Sequence, residues 1–130
     1  LVDTQGNLLG LHVTTADVQD RDGARSLLSD LLETSYGWLK LIWADGGYGG
    51  KLVEDIAQIT RHRKVKLEIV KRSDDVKGFK VLPKRWIVER TFGWLIQSRR
   101  LIRDYEVKIE HSEAMIYLSM ARRMLAKIAI

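Results

Sequence analysis

The sequence predicts a mixed α/β domain in which helices pack on a mixed sheet. Strand-like and helix-like periodicities alternate along the chain in the order ββαβαβαα. A short, mostly apolar run at 39–44 is flanked by Gly37 and by Gly46-Gly47, which suits a buried strand. The 130 residues, 45% hydrophobic and 30% charged, fit one soluble domain. Ten Gly, one Pro and no Cys exclude a collagen-like repeat and a disulfide-stapled miniprotein, and the apolar share excludes a wholly disordered chain. No apolar run approaches the roughly 18 residues of a membrane span, and no signal-peptide pattern opens the chain. The expectation is a cytoplasmic protein without a membrane partner.

Residues 1–4 and 8–14 read as two strands joined at Gln5-Gly6-Asn7, because Gly6 and Asn7 tolerate positive φ. Over 18–33 the positions Ala24, Leu27, Leu28, Leu31 and Leu32 form an amphipathic stripe, and Asp17, Asp20 and Asp22 crowd its start, where the helix dipole favours negative charge. The strand at 39–44 ends at Asp45. Leu52, Val53, Ile56, Ala57 and Ile59 mark a weaker helix over 51–60, and 65–70 alternates as a strand. Residues 71–82 lack a clean period and read as a basic loop. Pro83 can open a helix over 84–100, in which Trp86 and Trp94 belong to the apolar pattern and are expected in the core. Ser112 is the expected cap of a last helix whose stripe is Ala114, Leu118, Ala121, Leu125 and Ile128.

The net charge of +5 is unevenly spread. Residues 1–60 hold four basic and nine acidic side chains, whereas 61–108 hold fifteen basic and six acidic ones. Clustered Lys and Arg attract phosphate backbones by releasing condensed counterions, so nucleic acid is the leading partner; the alternative is a solvated charged face.

Asp45, at the end of a strand and followed by Gly46-Gly47-Tyr48-Gly49-Gly50, is placed for chemistry because open α/β sheets bind ligands beyond the carboxyl ends of their strands. The alternative is an Asx turn. Glu89 is the second candidate. On a helix over 84–100, Arg85 and Arg100 project within roughly 40° of it. That arrangement is either a structural ion pair or a metal ligand whose arginines grip phosphate. His12, His62 and His111 form no metal spacing.

These residues resemble the DDE transposases of bacterial insertion sequences, of the insertion-sequence-five or four type. The resemblance rests on Leu1-Val2-Asp3-Thr4-Gln5-Gly6, on Ala16-Asp17-Val18-Gln19-Asp20-Arg21-Asp22-Gly23-Ala24, on Ala44-Asp45-Gly46-Gly47-Tyr48, on Ile69-Val70-Lys71-Arg72-Ser73-Asp74-Asp75 with Lys77-Gly78-Phe79, and on Leu82-Pro83-Lys84-Arg85-Trp86-Ile87-Val88-Glu89-Arg90-Thr91-Phe92-Gly93-Trp94-Leu95. It implies an RNase H-like mixed sheet with flanking helices, truncated at its N-terminus, with 1–130 as a single partial catalytic domain. Asp45 matches the second catalytic aspartate and Glu89 the glutamate, and the two would hold Mg²⁺, with Mn²⁺ as a substitute. Leu82 and Ile96 stand where the family's signature has Tyr and Lys. The first catalytic aspartate would precede Leu1, so a chain inactive on its own is expected; Asp3 is a lesser candidate for that acid.

The implied chemistry is DNA cleavage and strand transfer, in which two Mg²⁺ about 3.5–4 Å apart activate the nucleophile and neutralise the leaving oxygen. The implied partners are transposon ends and target DNA in a bacterial, nucleoid-associated setting. Lys71, Arg72, Lys77, Lys80, Lys84, Arg85, Arg99 and Arg100 would contact phosphate rather than read sequence. An exposed N-terminal strand edge favours association into a homo-oligomer or partial disorder there. The competing readings are a non-catalytic DNA-binding remnant or modulator of transposition, and an unrelated RNase H-like nuclease.

Overall fold

The computed structural model describes residues 1–70 and 84–129. Its elements are α1 (Asp20–Thr34), β1 (Leu41–Asp45), α2 (Lys51–Ile59), β2 (Lys66–Val70), α3 (Arg85–Ile96) and α4 (Ile109–Ile128), with single 3₁₀ turns at Gly46–Tyr48 and Arg99–Leu101. This is an α/β chain, as its alternating periodicities predict. The described residues fall into two compact units, a sheet unit of 14–70 and a helical unit of 1–13 with 84–129.

The sheet unit is built on β1–α2–β2. The two strands are parallel, in register from Leu41 opposite Lys66 to Asp45 opposite Val70. Among the described residues the sheet has these two strands, so the expected mixed sheet is replaced by a parallel pair. Parallel neighbours need a crossover rather than a tight turn, and α2 supplies it. The helical stripes close a core of Leu28 and Leu32 from α1, Leu52 and Ile56 from α2, Ile42 and Leu67 from the strands, and the flanking Leu39 and Val65. Ile56 is completely buried. Each such side chain contributes roughly 1.5–3 kcal/mol by leaving water. β1 is not buried on both faces, however, because Trp43 is 39% exposed. Its apolar run reads like a two-sided core strand but has only one covered face.

Two polar residues close this unit. The buried Thr60 hydroxyl donates to the Ile56 carbonyl at 2.6 Å and approaches the Val65 carbonyl at 3.2 Å. Arg63 donates to the Leu32 carbonyl and, at 2.7 Å, to the Ser35 carbonyl. The last turn of α1 has no basic residue of its own, so Arg63 brings the cation and the donors that its orphan carbonyls lack.

The helical unit opens with a turn rather than a two-strand hairpin. Among the described residues, segments 1–4 and 8–14 share a single antiparallel bridge, Val2 with Leu8. The turn itself forms as expected: Gly6 takes φ +81°, and the Gly6 N–H donates to the Asp3 carbonyl at 3.0 Å. What shortens the ladder is the destination of the next donors. The Leu11 N–H goes to the Tyr117 hydroxyl at 3.3 Å and the Val13 N–H to the Glu113 carboxylate at 2.9 Å, so the segment runs along α4 instead of a strand.

α3 ends at Ile96, short of the expected 100, and a 3₁₀ turn follows. α4 starts at Ile109 behind Lys108, and Ser112 is not its cap. The Ser112 side chain is buried in the first turn and donates back to the Asp104 carboxylate at 3.0 Å. The expected stripe of α4 faces outward: Leu118, Leu125 and Ile128 are 64%, 65% and 78% exposed, while Met120 is buried. This unit buries few apolar side chains, Ile87 and Met120 among them, and relies on the buried hydroxyls of Thr91 and Ser112.

Candidate functional site

Asp45 is exposed at the carboxyl end of β1, where the chain leaves the strand for the 3₁₀ turn. Its Oδ1 accepts the Gly47 N–H at 2.9 Å. The other carboxylate oxygen makes no hydrogen bond among the described residues. A side chain at Gly47 would begin 3.2 Å from Asp45 Oδ1, closer than most such contacts, so glycine lets the turn wrap tightly over the acid. Arg21 from α1 donates to the Gly47 carbonyl at 3.4 Å and steadies the same turn. Burial first, then the carboxylates of Asp20 and Asp45, push the Tyr48 phenol above its ordinary value. The Asx turn is therefore formed, and it occupies one oxygen of Asp45.

Glu89 is exposed on α3. Its Oε1 pairs with Arg85 Nε at 3.0 Å, both side chains being about three-fifths exposed, at 61% and 59%. The ion pair is present, and at such exposure it contributes about 0.3–0.5 kcal/mol. Glu89 belongs to the helical unit and Asp45 to the sheet unit.

The basic residues around Glu89 divide. Arg85 lies one turn before it. Lys84 precedes α3 in a left-handed conformation, φ +65°, and is exposed. Arg99 is exposed in the 3₁₀ turn. Arg100 is not carried on α3, because the helix has ended, so helical phase does not align it with Glu89. It pairs instead with Glu106, through Nε at 2.9 Å and Nη2 at 2.8 Å. Lys71, Arg72, Lys77 and Lys80 lie outside the described residues.

Asp3, the lesser candidate for a first acid, is engaged in its own loop. Oδ1 accepts the N–H groups of Gln5 and Asn7, both at 2.8 Å, and Oδ2 accepts the Asn7 amide at 2.9 Å.

Cations also gather on the indole rings of α3. The Arg90 guanidinium lies 4.5 Å from the Trp86 ring and 4.8 Å from the Trp94 ring; Arg123 lies 3.5 Å and Lys127 5.4 Å from the same Trp94 ring. Trp86 is 49% exposed and Trp94 is half-buried, so neither is the core residue its helical phase suggests. The i, i+4 spacing of Trp86, Arg90 and Trp94 was the available signal.

A family model for the transposase DDE domain matches residues 1–125, which include both Asp45 and Glu89. The chain belongs to the transposase DDE domain family. No curated protein and no solved structure matches it. Transposase DDE domains act on DNA and use divalent metal ions. Among the described residues of this DDE domain, no three His, Cys, Asp or Glu side chains form a group that could hold a metal, and no helix is long and apolar enough to cross a membrane. The donor chemistry of Asp45 and Glu89 nevertheless fits a hard divalent cation: each is an exposed carboxylate with one oxygen outside any hydrogen bond or ion pair among the described residues.

Proposed function

We propose that this transposase DDE domain is part of an RNase H-like catalytic domain of an insertion-sequence-five type enzyme that cleaves and transfers DNA strands. Asp45 and Glu89 are two of its catalytic carboxylates and hold Mg²⁺, for which Mn²⁺ can substitute. The observation that carries this reading is the family match, which spans both acids. Bound divalent ions would supply charge neutralisation at the phosphate and an activated oxygen nucleophile.

The chain's own residues prepare that chemistry. The Gly47 N–H fixes one oxygen of Asp45, so the carboxylate presents the other in a defined direction. Arg85 restrains Glu89 in the same way. Lys84, Arg85, Arg99 and Arg100, together with Lys71, Arg72, Lys77 and Lys80, hold the DNA backbone as phosphate contacts without base readout. Asp3 is not assigned a metal, because its carboxylate organises its own loop.

Titration with Mn²⁺, followed by electron paramagnetic resonance, tests the assignment. Asp45→Asn and Glu89→Gln should each weaken binding, and any nicking of supercoiled plasmid in Mn²⁺ should disappear with them. Metal binding that is indifferent to both replacements would reject the site and favour a DNA-binding module without chemistry.

A further inference from the structure

The indole of Trp94 gathers three cations. Arg123, Arg90 and Lys127 stand 3.5, 4.8 and 5.4 Å from its centroid, which places all three charges within about one Debye length of one another, roughly 10 Å at 0.1 M salt. Each gains something from the ring, because a cation over an indole face is attracted by its quadrupole. Among the described residues the protein answers their mutual repulsion in part, through the Asp3 charge that reaches Lys127. Among the described residues none of the three forms an ion pair with a carboxylate, and the Nε atoms of Arg90 and Arg123 are buried without a hydrogen-bond partner. Asp3 is held in its own loop by three accepted hydrogen bonds and forms no ion pair with Arg90 or Arg123 among the described residues, so their charges are left for an outside anion.

The cluster is also held in place. Arg90 Nη2 donates to the Gln5 carbonyl at 2.6 Å, and Lys127 Nζ donates to Asn7 Oδ1 at 3.3 Å. Side chains restrained by stacking, by a backbone carbonyl and by a side-chain amide oxygen lose little further freedom when an anion arrives. A positively charged, preorganised cluster with aromatic support is the composition that tracks a nucleic-acid backbone.

We propose that Arg90, Arg123 and Lys127, organised on Trp94, form a phosphate-contact surface for the DNA backbone, in which Arg123 and Lys127 lie outside the basic stretch around Glu89. The inference rests on the reading of the chain as a DNA-acting domain and adds a surface to it that lies across α3 and α4.

The test measures binding of the full chain to a 20-base-pair duplex of arbitrary sequence across a salt series, for the wild type, Arg123→Gln, Lys127→Gln and the control Lys40→Gln, an exposed lysine of the sheet unit. Thermal melting checks that each is folded; Lys127 is an exposed side chain whose replacement leaves the stack of Arg90, Trp94 and Arg123 in place. The expected result is several-fold weaker binding for Arg123→Gln and Lys127→Gln. The slope of log K against log salt should fall by about one for each, with Lys40→Gln unchanged. Affinity and slope equal to the wild type in a folded Lys127→Gln and Arg123→Gln would overturn this surface while leaving the DNA-acting reading intact. An equal loss in Lys40→Gln would also overturn it, since bulk charge would then account for the effect. A wild-type chain that does not bind duplex would overturn both the surface and the reading beneath it.

Discussion

The hydroxyl of Thr91 donates to the carbonyl of Gly6 at 2.8 Å, joining α3 to a turn 85 residues earlier in the chain. Gly6 is needed there twice over. Its φ of +81° is strained for any side chain, and a Cβ would stand 2.9 Å from Thr91 Oγ1 and 3.1 Å from Trp94. Gly6→Ala should destabilise the helical unit by about 1–2 kcal/mol from the backbone term alone, with the clash added to it. Amide exchange in residues 1–10 should accelerate ahead of the sheet-unit core; unchanged protection would count against this packing.

The Asp3 carboxyl is opposed by burial, but the Asn7 side chain, the N–H groups of Asn7 and Gln5 and the Lys127 charge together hold it below its ordinary value of 3.8. A depressed folded value means that the deprotonated form stabilises the fold. That contribution is fully present above the unfolded pKa and is lost as the pH falls from about 4 through the lowered folded value. Asp3→Asn should flatten this acid limb of the stability curve while leaving its course near neutrality parallel to wild type. A denaturant series at pH 2–7 measures it, and an acid limb identical in both proteins would remove Asp3 from the account.

Ile56 is wholly buried in the sheet unit, among leucines from α1 and the strands. Truncation removes transfer free energy and leaves a cavity, so Ile56→Ala should cost about 2–5 kcal/mol. Leu118, on α4 and 64% exposed, offers the contrast: Leu118→Ala should stay within about 0.5 kcal/mol. Urea midpoints of the two variants compare them directly.

Arg63 serves α1 from the turn that follows α2. Replacing it with Met keeps much of the stem and removes the donors to the Leu32 and Ser35 carbonyls. Arg63→Met should cost about 1–3 kcal/mol, because partly buried carbonyls lose charged partners. The loss should register as faster exchange in the last turn of α1; an effect confined to the loop around Arg63 would contradict the capping role.

Much of the sheet unit was legible because its elements carry their own period. The stripe through Leu28 and Leu32, the pair Leu52 and Ile56, and the alternation at 65–70 each match an element to within a residue or two. The position of Asp45 at a strand end was legible for the same reason. The helical unit was harder to read. Ser112 has the chemistry of a cap, but its hydroxyl finds Asp104, a partner that no local spacing announces. The stripe of α4 shows amphipathicity without showing which face the unit covers. The cation cluster on Trp94 needs residues from 90 to 127 to meet, and such long-range encounters leave no periodic trace. The alignment of Arg100 with Glu89 fails because helical phase does not extend the four residues beyond the end of α3 at Ile96.

Glu89 and Arg85 separate stability from chemistry. Their ion pair is exposed, so Glu89→Gln and Arg85→Gln should each change stability by no more than about 0.5 kcal/mol. The two variants should then diverge. If Glu89 holds metal, Glu89→Gln abolishes metal-dependent action on DNA at unchanged melting temperature. Arg85→Gln frees a carboxylate without removing it and should weaken DNA binding while retaining metal binding. Parallel melts, Mn²⁺ titrations and duplex-binding curves on both proteins resolve the roles. Equal metal affinity in wild type and a folded Glu89→Gln would reduce the pair to surface ion pairing.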